Sequence, residues 1–559
     1  MKNRVRELIE QGDKLFSAKS SLQSLWQTTA ENFYPERADF TVTRSWGLEF
    51  AAHLMTGAPA MCRRDLANQI GAMLRPRGQP WFHPRTPIER INKDPSARKW
   101  LDWAGEVQRR AMYDSKSGFV RATREGDHDF ATFGQTVIQP QLNQTRDALL
   151  YRCWHLRDCA WAENGHLEID RLHRKWKIDA RQLMGLFGQA NSGKVKDVVG
   201  KEPFKNFACQ HIVLPADDYD LKQARGKKLP FVSIYIDKDN ETILEERPAF
   251  SLGYVVPRWQ TVSGSPYAYS PATVIAIADA RMLQQITLTL LEAGQKAVDP
   301  PMLAVGEVIQ GGVNTFAGGV TYIDAEYDEK TGEALRPLPI DRSGLNWGVD
   351  RETRILELIK EAFYLNQINL PDIGKDMTAY ETQKRVEEYI RRALPLFEPM
   401  ETEYNGALCD ETFDILLRNG AFGNMQDMPD ILRGQDVRFT FESPLQAAQS
   451  RANSQAFQQT AQLLQIAVQM DPSVRHDVDV DRAFRDAVEG AGAPANWMVD
   501  EKVAAQRKAD DARQQAAAMQ QQQTMDELER GAGIADQAGS AAQKIGAAMG
   551  MQPQQAAAG

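Results

Sequence analysis

The sequence predicts an α+β fold that is mainly helical, and three patterns carry this prediction. Runs of apolar residues with helical spacing dominate residues 1–131, and strand-like alternation follows over 132–271. The third pattern is a long apolar helix over 272–297, after which further helical periodicity continues towards the C-terminus. With 559 residues, the chain is long enough for about three or four domains.

The first two patterns place several elements along the N-terminal half. Amphipathic helices are predicted over 5–15, 60–74 and 97–112. A short helix over 180–187 interrupts the strand-rich part. The candidate strands are 136–139, 149–156, 169–177, 212–214, 231–236 and 242–245.

The helix over 272–297 is unusual because it contains only four charged residues: Asp279, Arg281, Glu292 and Lys296. Apolar or small uncharged residues occupy the rest of its circumference, which predicts burial on most sides. At 1.5 Å per residue the helix would be about 39 Å long. The run between Arg281 and Glu292 is too short, and too rich in Gln and Thr, to span a bilayer. We therefore expect no membrane segment, and a surface that is buried against copies of the same chain in a ring or bundle.

Two further helices follow an insert. Asp299-Pro300-Pro301 ends the long helix, since proline cannot continue it, and short strands are predicted over 302–305 and 320–323. A second helix is predicted to begin near Asp350, a plausible N-cap. Thr378 and Glu381 fit the capping box of a third helix. The residues that we expect to pack one subunit against another are Ile277, Ile286, Leu290, Ile355, Leu358 and Leu365.

Several short motifs occur in a distinctive order over residues 66–499. They are Leu66-Ala67, Trp81-Phe82, Ser270-Pro271-Ala272, the segment 296–301, the helix start 377–381, the segment 413–416 and the segment 443–449. In this order and spacing the chain resembles the head-to-tail connector (portal) proteins of short-tailed bacteriophages. No single motif is decisive, and the last sixty or so residues match nothing in that family.

The resemblance implies a mainly helical portal fold with an α/β wing, a two-helix stem, a small β-containing clip and a helical crown. Within it, the polar residues Asn369, Asp372, Lys375 and Asp376 would point from a tunnel loop into a channel. The implied segments are wing 1–271, first stem helix 272–297, clip 298–349, second stem helix 350–368, tunnel loop 369–377, returning wing helices 378–444, crown 445–500 and an Ala/Gln-rich tail 501–559, forming a helical barrel or disordered.

For function, the resemblance implies a homo-oligomeric ring of about twelve copies at one capsid vertex. Double-stranded DNA would pass through the ring without sequence specificity. The implied protein partners are the terminase large subunit, tail adaptor and tail proteins, and the major capsid and scaffolding proteins. The protein would be assembled in the host cytoplasm and kept in the virion. Two alternatives stay open: an internal virion or capsid protein without a channel, and a P-loop NTPase.

The charge is unevenly distributed along a chain whose net charge is −9. Residues 1–100 contain 16 Lys/Arg against 10 Asp/Glu, a net of +6, whereas 272–368 contain 8 against 14, a net of −6. A surface that grips DNA by its phosphates would be basic. An acidic channel would instead repel the duplex and keep it mobile, although the acidic residues also fit an ordinary solvated face.

No residues with a clear catalytic, cofactor-binding or metal-binding pattern are found. The segment Gly188–Val195 matches GxxxxGK, but Val195 replaces the Ser or Thr that binds Mg²⁺ in a P-loop. Cys153, His155 and Cys159 lack the spacing of a structural zinc site, and His166 and His173 have no carboxylate partners in the sequence pattern. Trp154, Trp161 and Trp176 are predicted core residues. Five scattered cysteines without a CxxC pair favour a reducing compartment.

Overall fold

The computed structural model describes residues 2–441 apart from 46, 48, 78–79, 189–192, 220–228, 305–321, 323–334, 338–342 and 369–399. Beyond 441 it describes 457, 460–466, 480, 483–484, 487–488, 499, 503–504 and 506–519. The chain divides into two compact units, Met1–Gln446 and Ala447–Gly559. In the second unit the stretches 460–466 and 506–519 are helical, so the described part of the Ala/Gln-rich tail forms a helix.

The first unit mixes helices and strands. Its helices are α1 (Lys2–Ala18), α2 (Ser20–Phe33), α3 (Ala58–Leu74), α4 (Glu89–Asn92), α5 (Pro95–Met112), α6 (Phe119–Phe133), α7 (Ala180–Phe187), α8 (Gly193–Lys201), α9 (Pro271–Val298), α10 (Ser343–Ala362), α11 (Leu365–Ile368) and α12 (Ala407–Arg418). Its strands are β1 (Phe82–Arg85), β2 (Val137–Leu142), β3 (Leu149–Trp154), β4 (Cys159–Glu163), β5 (Ile169–Asp179), β6 (Asn206–Pro215), β7 (Phe231–Asp237), β8 (Thr242–Ala249), β9 (Gln260–Thr261), β10 (Ala268–Tyr269), β11 (Met302–Ala304), β12 (Leu335–Pro337) and β13 (Arg438–Phe441).

The main hydrophobic core joins the N-terminal helices to the chain that returns after residue 400. Strand β1 pairs antiparallel with β13, where Phe82 lies opposite Phe441. From α5, Gln108 Nε2 donates to the carbonyl of Cys409 on α12 at 2.9 Å. The end of the segment that we predicted to return to the wing therefore packs into the N-terminal core.

A buried ion pair fixes the same junction. The guanidinium of Arg75 on α3 contacts the carboxylate of Asp127 on α6, and both side chains are almost fully buried. Arg75 Nη1 also donates to Asn405 Oδ1 at 2.8 Å, and Asn405 lies in the π-helical turn that precedes α12. Removing one partner would leave the other charge buried and unpaired. We therefore expect the loss of either side chain to lower the stability of the protein strongly.

Strands β4 to β8 form one antiparallel sheet in sequence order. Helix α1 packs Val5 and Leu8 on one face, against β6 residues that include Ile212. Helices α7 and α8 pack against the β6 residues whose side chains point to the other side of the strand, so these two helices lie on the other face of the sheet. At the crossing of α1, a Cβ on Gly12 would lie 2.2 Å from Gln210 Nε2, so only glycine allows this close approach.

Lys19, between α1 and α2, holds these helices to the connection between β3 and β4. Its buried ammonium donates to the carbonyls of Leu156 at 2.8 Å and Arg157 at 3.2 Å, and also to that of Cys159. Burial lowers the pKa of Lys19 from 10.5 to about 7. Between those two pH values the unfolded chain binds a proton that the folded chain releases, so this residue contributes stability that rises with pH.

We therefore expect the free energy of unfolding of the native protein, relative to that of Lys19→Met, to rise between pH 7 and pH 10. Denaturant unfolding of both proteins across this range measures the difference, and other titrating groups cancel in the comparison. At neutral pH the variant should also lose about 1 to 3 kcal/mol, because it leaves buried carbonyls without donors. If the free energies of unfolding of the two proteins changed equally with pH, the lowered pKa would not belong to Lys19.

Most predicted elements of the first unit are confirmed. The helix predicted over 180–187 has the bounds of α7, and the strands predicted from 136 to 245 correspond to β2, β3 and β5 to β8. Gly420 follows α12 with a φ of 72°, as a glycine in a helix C-cap requires. The elements that were not predicted individually include α2, α6, α8 and β4.

One boundary after the long helix needs correction. The second helix begins at Ser343 rather than near Asp350, so the end of the predicted clip belongs to α10. The strand predicted over 302–305 corresponds to β11, which pairs with β12 (Leu335–Pro337), and of the strand predicted over 320–323 only residue 322 is described. The tunnel loop, the capping box at Thr378 and most of the clip and crown lie outside the described residues.

Candidate functional site

The candidate site is the hairpin of α9 and α10, and its position is set where α9 begins. Ser270 caps α9, and its hydroxyl donates to the carbonyl of Ala131 in the last turn of α6 at 2.7 Å. Gly134 ends α6 with a φ of 75°. A Cβ on Gly134 would lie 2.1 Å from the carbonyl carbon of Tyr269, so the two backbones touch. The start of α9 is thus fastened to the end of α6.

Helix α9 has 28 residues, which makes it about 42 Å long. Its fully buried residues all lie in the first half. They are Ala272, Thr273, Ala276, Ala280 and Leu283. From residue 284 onwards the described side chains are half-buried or exposed. The C-terminal half of α9 therefore projects beyond the core of the chain.

Helix α10 runs beside this projecting half and returns the chain to the core. Gly348 packs against Leu290, whose Cδ2 would lie 2.5 Å from an added Cβ. Thr287 Oγ1 donates to Glu352 Oε1 at 2.7 Å. Further along α10, Ile355 is fully buried in the main core, together with residues 359 and 363. Close packing at Gly348 explains why a helix continues through a residue that usually disfavours helices.

Helix α9 exposes apolar side chains on two sides. Ile275 is 61% exposed and Met282 is 40% exposed; seven residues apart, they share one flank of the helix. Gln284 and Leu291 are also seven residues apart, and they lie on the opposite flank relative to the buried stripe. Leu291 is 52% exposed. An isolated chain thus leaves apolar surface uncovered on both flanks.

The six residues that we predicted to pack between subunits differ in their surroundings. Ile355 and Leu365 are buried within the chain, so their side chains are already covered without a second subunit. Ile277 and Ile286 are partly buried against the main core. Leu358 is half-buried, and Leu290 contacts Gly348 of the same chain. The exposed residues of the two flanks were missed because the sequence does not tell which side of α9 meets the core.

Helix α9 is the one helix in the described part of the chain that is long and apolar enough to cross a membrane, judged by length and composition alone. A single helix of this kind is weak evidence. The neighbouring α10 exposes Arg351, Arg354 and Glu357 along the hairpin, and charged side chains are costly in lipid. The arrangement fits contacts with protein and water.

The predicted channel residues Asn369, Asp372, Lys375 and Asp376 lie outside the described residues. They follow directly on α11, which ends at Ile368. Their place in a tunnel loop and their orientation stay predictions.

The GxxxxGK segment joins two helices, α7 and α8, instead of following a strand as a P-loop does. Val195, in the position of the magnesium-binding hydroxyl, is fully buried in the apolar cluster beneath these helices. Its side chain could reach a nucleotide only by leaving that cluster. Residues 189–192 lie outside the described part of the chain.

The other chemical candidates have ordinary structural partners. His155 Nε2 lies 2.6 Å from Asp39 Oδ1, and burial raises the pKa of the Cys159 thiol to about 12. Burial also lowers the pKa of His173 to about 3, which keeps that ring neutral. Trp161 is a buried core residue. Among the described residues, no group of three or more His, Cys, Asp or Glu side chains is arranged to hold a metal ion.

A cavity of about 550 Å³ lies where α5 leads into α6. Tyr34, Tyr113 and Phe119 contribute to its aromatic lining. Of its charged residues, Arg121 is paired with Glu125 at 3.2 Å. The lining also contains Ser117 and His128. The Ser117 hydroxyl donates to the carbonyl of Met112, and His128 Nδ1 contacts Arg63 Nη1, so both side chains have structural partners.

Comparison with known proteins gives one family and two relatives. The family model described as bacteriophage head to tail connecting protein matches residues 5–499. A probable portal protein of Bordetella phage BPP-1 is 24% identical over 485 residues, covering 85% of each chain. The portal protein of Salmonella phage epsilon15 is 22% identical over 502 residues, covering 88% of each chain.

Proposed function

Because the chain belongs to the bacteriophage head to tail connecting protein family, we propose that it forms the ring-shaped DNA channel at one vertex of a phage capsid. Members of this family are structural proteins of the virion and not enzymes. The relatives named portal proteins extend over nearly the same length. The family description does not state that the chain forms a ring, encloses a channel or lets DNA pass through it, and these three properties are what we propose.

The proposed ring is supported by one observation, which is that α9 exposes apolar residues on two opposite flanks. A two-fold dimer uses the same patch on both partners, whereas a ring needs two different patches that fit each other. Ile275 and Met282 on one flank, and Leu291 on the other, give each flank of α9 exposed apolar area, at levels about 14 Å apart along the helix. Repeating this contact around an axis closes a ring of hairpins. The family resemblance suggests about twelve copies.

The charge of the segment 272–368 fits a channel that does not hold DNA. The segment carries a net charge of −6, of which −5 lies in the insert 299–342. Helix α10 itself exposes Asp350, Glu357 and Glu361 together with Arg351, Arg354 and Lys360. A net acidic segment repels phosphate instead of releasing counterions by binding it. In this proposal Asn369, Asp372, Lys375 and Asp376 face the lumen, and Lys375 is the cation among them.

The far end of the hairpin is the proposed docking site for other proteins. Val298, the last residue of α9, and Trp347, in the first turns of α10, are exposed there, and Tyr322 of the intervening insert is exposed as well. Exposed apolar and aromatic residues in one region mark protein contacts. We assign the packaging motor (the terminase large subunit) and the tail adaptor to this end. The major capsid and scaffolding proteins would contact the sheet-rich part.

The measurement that tests this function is the mass of the purified chain in solution. A single chain has a mass of 62.8 kDa. We expect a discrete particle of about twelve times that mass, in the presence of scaffolding protein if closure requires it. An internal virion protein without a channel would give a monomer or a two-fold dimer under the same conditions.

A further inference from the structure

The segment 41–57 connects α2 to α3 and has no helix or strand in its described residues. Almost every described residue of this loop is exposed, including the apolar Val42, Phe50 and Met55. Irregular loops of this length are uncommon in compact domains, and they are usually either functional or disordered. The next question is whether the loop is fixed in place.

Several hydrogen bonds hold the loop against the chain. The side-chain amide of Gln284 on α9 accepts from the backbone N–H of Met55 at 2.6 Å and of Thr56 at 3.0 Å. Its Nε2 donates to the carbonyl of Thr56 at 2.8 Å. At the other end, Arg44 Nη1 donates to the carbonyl of Pro35 at 2.9 Å. The loop is therefore fastened to α9 while its apolar side chains stay uncovered.

This combination is what a preformed contact surface requires. Fixing a loop in advance reduces the ordering cost of binding, and uncovered apolar side chains supply the area to bury. Met55 is 39% exposed although its own backbone is bonded to Gln284. It extends the flank of α9 that also contains Leu291.

The geometry of α9 identifies what covers this surface. In a ring, the flank with Gln284 and Leu291 faces the neighbour's opposite flank, which carries Ile275 and Met282. Copies in a ring are related by rotation alone, so a residue of one copy meets residues of the next copy that lie at the same height along the ring axis. Met55 lies at the level of Gln284, two residues or about 3 Å along α9 from Met282.

We propose that loop 41–57 is a subunit-binding arm, whose Met55 packs on the Ile275–Met282 flank of the adjacent copy. This contact rests on the proposed ring. It adds an element outside the hairpin, and it makes the arm of each copy part of the neighbour's interface.

Cross-linking between two introduced thiols tests the contact directly. Met55→Cys combined with Met282→Cys, treated with a short bismaleimide after assembly, should give a ladder of covalent multimers. Each single variant should give no ladder, because each contact then contains only one thiol. Four of the native cysteines are buried and Cys153 is half-buried, so the unmodified protein provides the baseline. A distance control combines Met282→Cys with Leu186→Cys, since Leu186 is exposed on the separate helix α7.

The outcomes separate this contact from the ring itself. Rings that form normally but give no ladder in the double variant would overturn the arm and leave the proposed function intact. Failure of the unmodified chain to assemble would overturn both. A ladder as strong in the Leu186 control would show that the cross-link does not report proximity, and would also overturn the contact.

Releasing the arm is a second test. Gln284→Ala removes the three hydrogen bonds to the loop, and we expect it to raise the concentration needed for assembly by about tenfold. Gln285→Ala is the matched control, since this neighbouring residue is exposed and its side chain makes no bond to the loop. Equal assembly by the two variants would contradict the role of the arm.

Discussion

Leu291→Asp is expected to leave the chain folded and monomeric. The side chain is 52% exposed in one chain, so a carboxylate there stays hydrated before assembly. In the ring it would be buried against the neighbour without a partner, at a cost of several kcal/mol per contact. Sedimentation should show a single chain, and thermal unfolding of this monomer should match that of the native monomer.

Leu186→Asp is the control, because Leu186 is 56% exposed on α7 and lies outside the proposed interface. This variant should assemble as the native chain does. Leu290→Asp makes a useful contrast, since Leu290 contacts Gly348 within the hairpin, and its replacement should lower the stability of the monomer itself. If the Leu291→Asp variant still formed rings, the hairpin would not be part of the subunit interface.

Gly134→Ala is expected to destabilise the chain by about 2 to 5 kcal/mol, since it combines a left-handed backbone with a clash. The added Cβ would meet backbone atoms of Tyr269 and Ser270 at 2.1 to 2.4 Å. Backbone cannot move aside as a flexible side chain can, so the start of α9 must shift. Denaturant unfolding measures the loss, and assembly should fail together with it.

Gly253→Ala is matched in backbone conformation, with a φ of 71° against 75° for Gly134. No atom lies within 4 Å of its added Cβ, so it carries the conformational cost alone. The difference between the two variants isolates the contact that positions α9. Equal losses would mean that this contact does not set the position of the hairpin.

The long helix shows how much local pattern can predict. Ser270-Pro271 and Asp299-Pro300 bracket the apolar run, and they gave its ends to within one residue of Pro271–Val298. Proline and capping residues act through neighbouring backbone atoms, so the sequence contains all that is needed.

The predicted start of α10 was wrong because the contact that stabilises the first turns of this helix is not local in sequence. The prediction began at Asp350 because aspartate is a common N-cap residue, and Gly344 and Gly348, which precede it, disfavour a helix by propensity. The structure places Gly348 against Leu290, 58 residues earlier in sequence. Tertiary packing outweighed propensity here, and a single sequence does not reveal such a pairing.

The sequence predicted the helix on which the proposed interface lies, and the subunit contacts themselves stay a prediction. An apolar helix with few charges indicated burial against other copies, yet Ile355 and Leu365 turned out to face the chain's own core. Which flank stays exposed depends on how α9 rotates against α6 and α10. The role of the loop at Met55 depends on Gln284, 229 residues away, and no motif signals it.

Images of the assembled particle test the central claim most directly. Class averages from electron microscopy of the purified chain should show closed rings of about twelve copies around a hole wide enough for duplex DNA, with the hairpins of α9 and α10 lining it. Particles of two-fold symmetry, or closed assemblies without a central hole, would contradict the channel.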